Sequence, residues 1–309
     1  MEPKTKESPA ANGAKKYRRS YRSKLADCPQ PDFKSAMSEA GLVIKDAIIS
    51  DGKLHRFRVE GDKAGSENGW YVLYGDSLPA GAFGCWKRGI SETWCGKTDR
   101  ELTQAQREQN RRRMIEAQKA RESEEAKRRQ AAWDKALLIW QSLPLAPDSH
   151  PYLVKKGVKS HGLRLHKGLL VIPMRDSGGN LHSLQFIDGD GNKRFLSGGR
   201  KKGCYFALGT PTESLCIAEG FATAATIYES TGLAVAVAFD AGNLLPVAQA
   251  LRTKFSVAEI VLCADNDANT PGNPGLTKAR EAAAAVGGRL AVPPCAGDFN
   301  DFLQGQRNE

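Results

Sequence analysis

The chain has 309 residues, carries 45 Lys and Arg against 35 Asp and Glu for a formal net charge of +10, and is 40% hydrophobic. That apolar share excludes wholesale disorder, no apolar run approaches the roughly 18 residues a membrane span needs, and the polar, basic N-terminus lacks the apolar stretch of a secretory signal. Seven scattered cysteines without a CxxC argue against a disulfide framework and predict a cytoplasmic protein; the basic excess makes nucleic acid the first partner to consider.

Residues 1–30 are predicted to be a disordered basic arm, with eight Lys or Arg against two acids in the first 24 positions. Residues 31–98 predict a small β-rich module. A helix starts over Asp32–Ala40, and Asp51-Gly52 marks a hairpin between Val43–Ile49 and Leu54–Val59. Further strands are expected over Trp70–Tyr74 and Ala82–Trp86. Trp70, Tyr71, Tyr74, Phe83, Trp86 and Trp94 lie among Arg56, Arg58, Lys87 and Arg88. Rings among cations suit stacking on unpaired bases, yet large rings also dominate small cores, and each single ring reads first as core. Cys28, His55, Cys85 and Cys95 lack metal-ligand spacing, so no zinc is predicted.

Residues 99–142 predict a long, solvent-exposed helix, with 11 basic and 7 acidic residues over 100–135 and no Pro or Gly there. Trp133, Leu137, Leu138 and Trp140 give its end an apolar face, and Pro144 and Pro147 stop it. Residues 143–209 form a basic α+β lobe, with 11 Lys or Arg against 3 Asp over 151–205. Its strands are expected over Leu169–Met174, Leu181–Ile187 and Lys193–Leu196, followed by a Gly-rich basic loop over Ser197–Gly203.

Residues 210–309 reverse the sign, with 6 basic and 11 acidic residues. Strands over Ser214–Ala218, Leu233–Phe239, Glu259–Ala264 and Arg289–Val292 alternate with helices over Phe221–Thr231, Leu245–Phe255 and Gly275–Val286. Short apolar strands alternating with helices predict an α/β fold, a parallel sheet covered on both faces.

Sites in such sheets lie beyond the carboxyl ends of the strands. Glu219, Asp240, Asp265 with Asp267, and Asp298 with Asp301 follow the four strands in turn. Like charges drawn together need a counter-charge, and the acidic turns contain no Lys or Arg. A divalent cation held by carboxylate oxygen, Mg²⁺ or Mn²⁺, would serve. Beside a strongly basic lobe, the matching substrate is polyanionic and the matching chemistry is metal-assisted phosphoryl transfer. A P-loop and a G-x-G-x-x-G fingerprint are both absent. None of the five His falls in the acidic region, which removes a Ser/His/Asp arrangement.

Ile217-Ala218-Glu219-Gly220, Cys263-Ala264-Asp265-Asn266-Asp267 and Gly297-Asp298-Phe299-Asn300-Asp301-Phe302-Leu303 resemble the three motifs of the Toprim domain. That domain, Rossmann-like in its parallel sheet, is shared by bacterial-type DNA primases, topoisomerases and some nucleases. The forms are similar to those of phage and conjugative-plasmid primases. Val171 to Asp176, Gly179 and Lys193 to Ser197 resemble the basic segment that precedes the domain in bacterial primases. The resemblance implies a DNA primase, a Mg²⁺-dependent nucleotidyltransferase making short RNA primers on single-stranded DNA. It implies Glu219 as the catalytic carboxylate, and Asp265, Asp267, Asp298 and Asp301 as metal ligands. It also implies Arg175, Lys193, Arg194, Arg200, Lys201 and Lys202 as contacts to template or nucleotide. The implied partners are the template, nucleoside triphosphates and a replicative helicase supplied in trans, because the chain stops soon after the third motif. Two rivals remain: a Toprim nuclease using the same carboxylates, and a catalytically silent single-stranded-DNA-binding or replisome module. Thr223 stands where replicative primases carry an acid, Asp240 is acidic where they are not, and no zinc ribbon precedes the core. The module over 31–98 is expected to engage template without metal.

Overall fold

The computed structural model describes residues 29–76, 78–98 and 100–307. The arm expected over 1–30 lies outside them, apart from Pro29 and Gln30, and so does Cys28. Two compact units divide at Glu125/Ala126. The division falls inside one helix, between the ends expected for the charged segment.

In the first unit, helix α1 (Pro29–Glu39) precedes an antiparallel sheet of β1 (His55–Phe57), β2 (Gly69–Tyr74), β3 (Ala80–Cys85) and β4 (Ile90–Cys95), in sequential order. The hairpin expected at Asp51-Gly52 does not form. Residues 43–49 are not a strand, and β1 pairs with β2 instead. The Asp-Gly signal is spent on a turn that brings Asp51 opposite Tyr74. Phe33 of α1 meets Phe83 and Trp94 edge-on, each at 5.5 Å. That approach requires Gly81, where a Cβ would lie 2.4 Å from the Val72 carbonyl and 2.8 Å from the Phe33 ring. Trp70, Tyr71, Phe83 and Trp94 are all buried. These rings are core, and none is available to stack on a base.

Helix α2 (Gln104–Ser142) starts at a capping box. Thr103 Oγ1 accepts from the Gln106 amide at 3.2 Å, and Gln106 Oε1 accepts from the Thr103 amide at 3.0 Å. Its first half is not the wholly exposed rod that the charge count suggests. Arg113 is buried, pairs with Asp76, donates to the Leu78 carbonyl and lies 4.8 Å from the centre of the Tyr74 ring. Arg121 lies 5.2 Å from the centre of the Trp70 ring. Arginine can dock a helix this way because its planar head stacks on rings while its stem packs.

The second unit holds the rest of α2, helix α3 (Pro151–Lys156), and an antiparallel sheet of β5 (Arg164–His166), β6 (Leu169–Arg175), β7 (Leu181–Ile187) and β8 (Lys193–Phe195). The period of two along β6 divides its side chains. Leu170, Ile172 and Met174 join the core shared with the C-terminal domain, while Val171 packs with Leu184, Phe186 and Ala136 of α2. At the end of α2, Ile139, Trp140 and Leu143 supply the apolar face. Leu138, expected on it, is 72% exposed, because a residue two positions from Ala136 and Trp140 points away from their side.

The C-terminal domain follows: β9 (Phe206–Leu208), β10 (Ser214–Ala218), α4 (Phe221–Thr231), β11 (Ala234–Val237), α5 (Ala241–Lys254), β12 (Glu259–Cys263), α6 (Pro274–Val286), β13 (Arg289–Ala291) and α7 (Phe299–Arg307). The sheet order is β13-β12-β10-β11-β9. Four strands are parallel, but β9 runs antiparallel to β11, so the sheet is mixed. Leu215 and Ile217 of β10 face the core with α5 and α6 residues. Cys216 and Ala218 face the core with α4 and the lobe.

One buried side chain fastens the basic loop to this domain. Asn243, 2% exposed, accepts from the Gly203 amide at 2.8 Å and donates to the carbonyls of Cys204 and Ala238 at 3.0 and 2.8 Å. Each buried group left unsatisfied costs about 1–3 kcal/mol. Asn243→Ala is therefore expected to lower the calorimetric midpoint of the second unit by several degrees. An unmoved midpoint would contradict this role.

Candidate functional site

The site is assembled where β10 and β12 end and α4 and α7 begin. Glu219 follows β10 directly, and its backbone carbonyl accepts from the Phe239 amide at 2.8 Å. Gly220 caps α4 without a side-chain bond, leaving the first amides of that helix open to anions or solvent. Glu219 and Gly220 line a cavity of about 200 Å³ with Asp265, Asp298, Thr223, Ala222, Tyr152, Lys155, Lys156, Asp190, Gly191 and Lys193.

The acidic turn after β12 is fixed by amides and backbone. Asn266 exchanges two backbone hydrogen bonds with Gly297, at 2.9 and 3.0 Å, and its side chain donates to the Cys295 carbonyl. This ties the second acidic turn to the third. Asn273, in left-handed backbone at φ +40°, accepts from the Asp267 amide at 2.9 Å and donates to Asn266 Oδ1 at 3.0 Å. Asp267 Oδ2 accepts from the Gly275 amide at 3.0 Å. A Cβ at Gly275 would stand 2.8 Å from both that oxygen and the Asp265 carbonyl, so only glycine lets α6 start this close to the turn.

Asp298 and Asp301 are reciprocally bonded across the start of α7. Asp298 Oδ1 accepts from the Asp301 amide at 2.9 Å, and Asp301 Oδ2 from the Asp298 amide at 3.3 Å. This is the geometry of a capping box. Thr223, 1% exposed, donates from Oγ1 to Asp298 Oδ2 at 2.9 Å. The residue that replaces the family's acid thus orients a neighbouring acid.

The carboxylates feel one another. Burial, then Glu219, Asp298 and Asp267, push the Asp265 carboxyl up to about 7, against the pull of Lys193. Burial, then Asp240, raise Glu219, while Lys193 opposes them. Burial, reinforced by Asp298, pushes the Tyr152 phenol up to about 12. The counter-charges absent from the acidic turns come from the basic lobe. Lys156 Nζ pairs with Asp301 at 3.2 Å, and Lys201 pairs with Asp240.

Of the residues singled out from sequence, Glu219, Asp265, Asp298 and Lys193 share the cavity. Asp267, bonded to the start of α6, is not among its lining residues. Asp240, Asp301, Arg175, Arg194, Arg200, Lys201 and Lys202 are not among its lining residues. Arg175 donates to the Gly179 carbonyl at 2.9 Å, Arg200 to the Lys202 carbonyl at 3.1 Å, and Arg194 lies 5.6 Å from the centre of the Phe186 ring. Phe239, at φ +75°, holds a backbone conformation rare for a bulky residue in the turn that carries Asp240. Tyr152, Lys155, Lys156, Thr223, Asn243 and Gly275 were not predicted as site-builders. Only Thr223 carried a signal, as the departure from the family's motif.

Among the described residues, no three His, Cys, Asp or Glu side chains are already closed into a metal cage. The donor set nevertheless fits a hard cation. Asp265 Oδ1 is buried without a hydrogen-bond partner, and its carboxyl is strained by like charge. A divalent ion held by Asp265, Asp298 and Asp267 would relieve both conditions.

Residues 214–309 match the Toprim domain family model. Over 294 residues the chain is 36% identical to a DNA primase TraC of Escherichia coli, across 89% of this chain and 27% of that protein. A second Escherichia coli DNA primase TraC is 35% identical over 295 residues, across 89% of this chain and 20% of that protein. The chain thus spans about a quarter or less of the length of these relatives. The primase fragment of the bacteriophage T7 primase-helicase is 22% identical, with a TM-score of 0.40, across 52% of this chain and 70% of that one.

With its carboxyl at about 7 folded against an ordinary value of 3.8, Asp265 retains a proton in the folded protein that the unfolded chain has lost. Stability of the metal-free protein therefore falls as pH rises through that window. Asp265→Asn removes the effect. Its thermal midpoint should exceed that of the wild type by a few degrees at pH 8 and by much less at pH 5. A pH-independent difference would refute the assignment.

Proposed function

We propose that this chain, which carries a Toprim domain over residues 214–309 and is a relative of the TraC DNA primases, is a DNA primase. It would make short RNA primers on single-stranded DNA by metal-dependent nucleotidyl transfer, serving a phage or plasmid in the cytoplasm. The observation that carries the reading is the meeting of Glu219, Asp265 and Asp298 in one cavity that Lys155, Lys156 and Lys193 also line. Carboxylates and ammonium groups lining one cavity suit a polyanionic ligand that is also metal-bound.

Asp265, Asp298 and Asp267 would hold Mg²⁺ or Mn²⁺, which supplies Lewis-acid stabilisation of charge on phosphoryl oxygens. Glu219 stands beside them as the carboxylate whose hold on a proton burial and Asp240 strengthen, which suits it to act as the base. Thr223 and the cap of α7 fix Asp298. Asn266 and Asn273 fix Asp267 and the turn that carries Asp265. Arg194, Lys202 and the other cations of the lobe would hold phosphates of the template, positioning it without reading sequence. The implied partners are nucleoside triphosphates and a replicative helicase.

Single-stranded DNA of mixed sequence, labelled nucleoside triphosphates and Mg²⁺ or Mn²⁺ should give short labelled products with the wild type. Asp265→Asn and Glu219→Gln should give at least a hundredfold less while remaining folded. Degraded template without products would favour the nuclease. Intact template without products, even with helicase added, would favour a silent binding module.

A further inference from the structure

We propose that Asn300 is a positioning residue for the cation site: by seating α7 on α3 and α4 together, its amide sets where the Asp298 carboxylate stands. This rests on the reading of Asp298 as a cation ligand and names what holds that ligand in place.

The end of α3 supplies the first seat. A helix leaves its last four carbonyls without partners inside the helix. The turn after α3 satisfies two of them, with the Gly157 amide on Val154 and the Val158 amide on Leu153, each at 3.1 Å. The other two are satisfied from α7. Gln304 donates to the Lys155 carbonyl at 3.0 Å, and Asn300 to the Lys156 carbonyl at 2.7 Å. Lys156 Nζ also pairs with Asp301 at 3.2 Å. The helix that Asp298 caps therefore closes α3 as well.

Helix α4 supplies the second seat. Thr223 and Thr226 are three residues apart and lie on one side of that helix. Thr223 Oγ1 donates to Asp298 Oδ2 at 2.9 Å, and Thr226 Oγ1 accepts from Asn300 Nδ2 at 2.8 Å. Asn300 and Thr226 are both buried. Both amide hydrogens of Asn300 are thus used, one on each neighbouring helix. The Lys156 carbonyl can only accept, which fixes the end of the amide that faces it. Asn300 Oδ1 is left buried without a hydrogen-bond partner, and an orphaned acceptor lowers stability. The value of this side chain therefore lies in the two partners its amide reaches at once, two residues from Asp298. Without it Asp298 keeps Thr223 and the α7 cap, but the helix that carries the cap is no longer fixed on α3 and α4.

The test titrates the full chain with Mn²⁺, read from the electron paramagnetic resonance signal of the free ion, beside the thermal midpoint without metal. All variants are compared at a temperature where each is folded. Asn300→Leu removes the amide, and Thr226→Val removes the hydroxyl while keeping its shape. Each should weaken Mn²⁺ binding ten- to a hundredfold, the usual effect of losing a group that orients a ligand. Thr226→Ser, which keeps the hydroxyl, should bind as the wild type does. Gln304→Ala, one turn further along α7, should lower the midpoint and leave Mn²⁺ affinity unchanged. If Asn300→Leu does not fold, the Thr226 pair decides the matter alone. Lower midpoints with unchanged Mn²⁺ affinity in Asn300→Leu and Thr226→Val would overturn the proposal, and so would an equal loss of affinity in Gln304→Ala. Binding lost in Asp298→Asn but intact in those two variants would sink the positioning role alone. Binding undiminished in Asp298→Asn would sink the ligand reading together with it.

Discussion

Everything around the site follows from one electrostatic burden. Glu219, Asp265 and Asp298 are delivered to one cavity, where burial first, and then Glu219, Asp298 and Asp267, raise the Asp265 carboxyl to about 7. Carboxylates left to themselves would turn outward into water, where repulsion is screened. The fold prevents this by fixing backbone and side chain at each acid. Asn266 binds the second acidic turn to the third, Gly275 allows α6 to close on Asp267, and Thr223 and the α7 cap restrain Asp298. The repulsion stored there is what a divalent cation would release.

The basic lobe supplies the opposing charge without neutralising the site. Its lysines pair with the outer acids, Lys201 with Asp240 and Lys156 with Asp301, while Lys193 stays near Glu219 and Asp265. Outer acids then serve as tethers between lobe and sheet, and inner acids stay available to a ligand. Asn243 and Asn300 reinforce the same boundary with buried amides. Their polar bonds are specific in direction where apolar contacts are not, so they define how the lobe and the sheet meet.

The parallel strands and the helices between them were legible because each is a short apolar run followed by an amphipathic one. β10 and α4 fall on the residues that the pattern marks, Ser214–Ala218 and Phe221–Thr231. The carboxylates at the strand ends were legible for the same reason, since the strand fixes where the next residue emerges. What escaped was short or long-range. β4, β5, β9, α3 and α7 were not read as elements, and α7 was hidden because Asp298-Phe299-Asn300-Asp301 was read only as chemistry. The acid at its start and the acid three residues on are also a helix-start signal. The partners of Asp301 and Asp240 lie 145 and 39 residues away, and no local pattern links residues at that separation. Arg113 and Arg121 were counted as solvated charge, since sequence does not reveal which arginines will lie on rings.

The central claim is that the carboxylate cluster is built to be completed by a divalent cation at Asp265. Calorimetric titration of the full chain with Mn²⁺, in buffers of differing ionisation enthalpy at pH 6 and pH 8.5, counts the protons displaced. The account predicts about one proton released per bound ion at pH 6 and almost none at pH 8.5, with binding abolished in Asp265→Asn. Binding of equal strength at both pH values without proton release, or binding undiminished in Asp265→Asn, would contradict it.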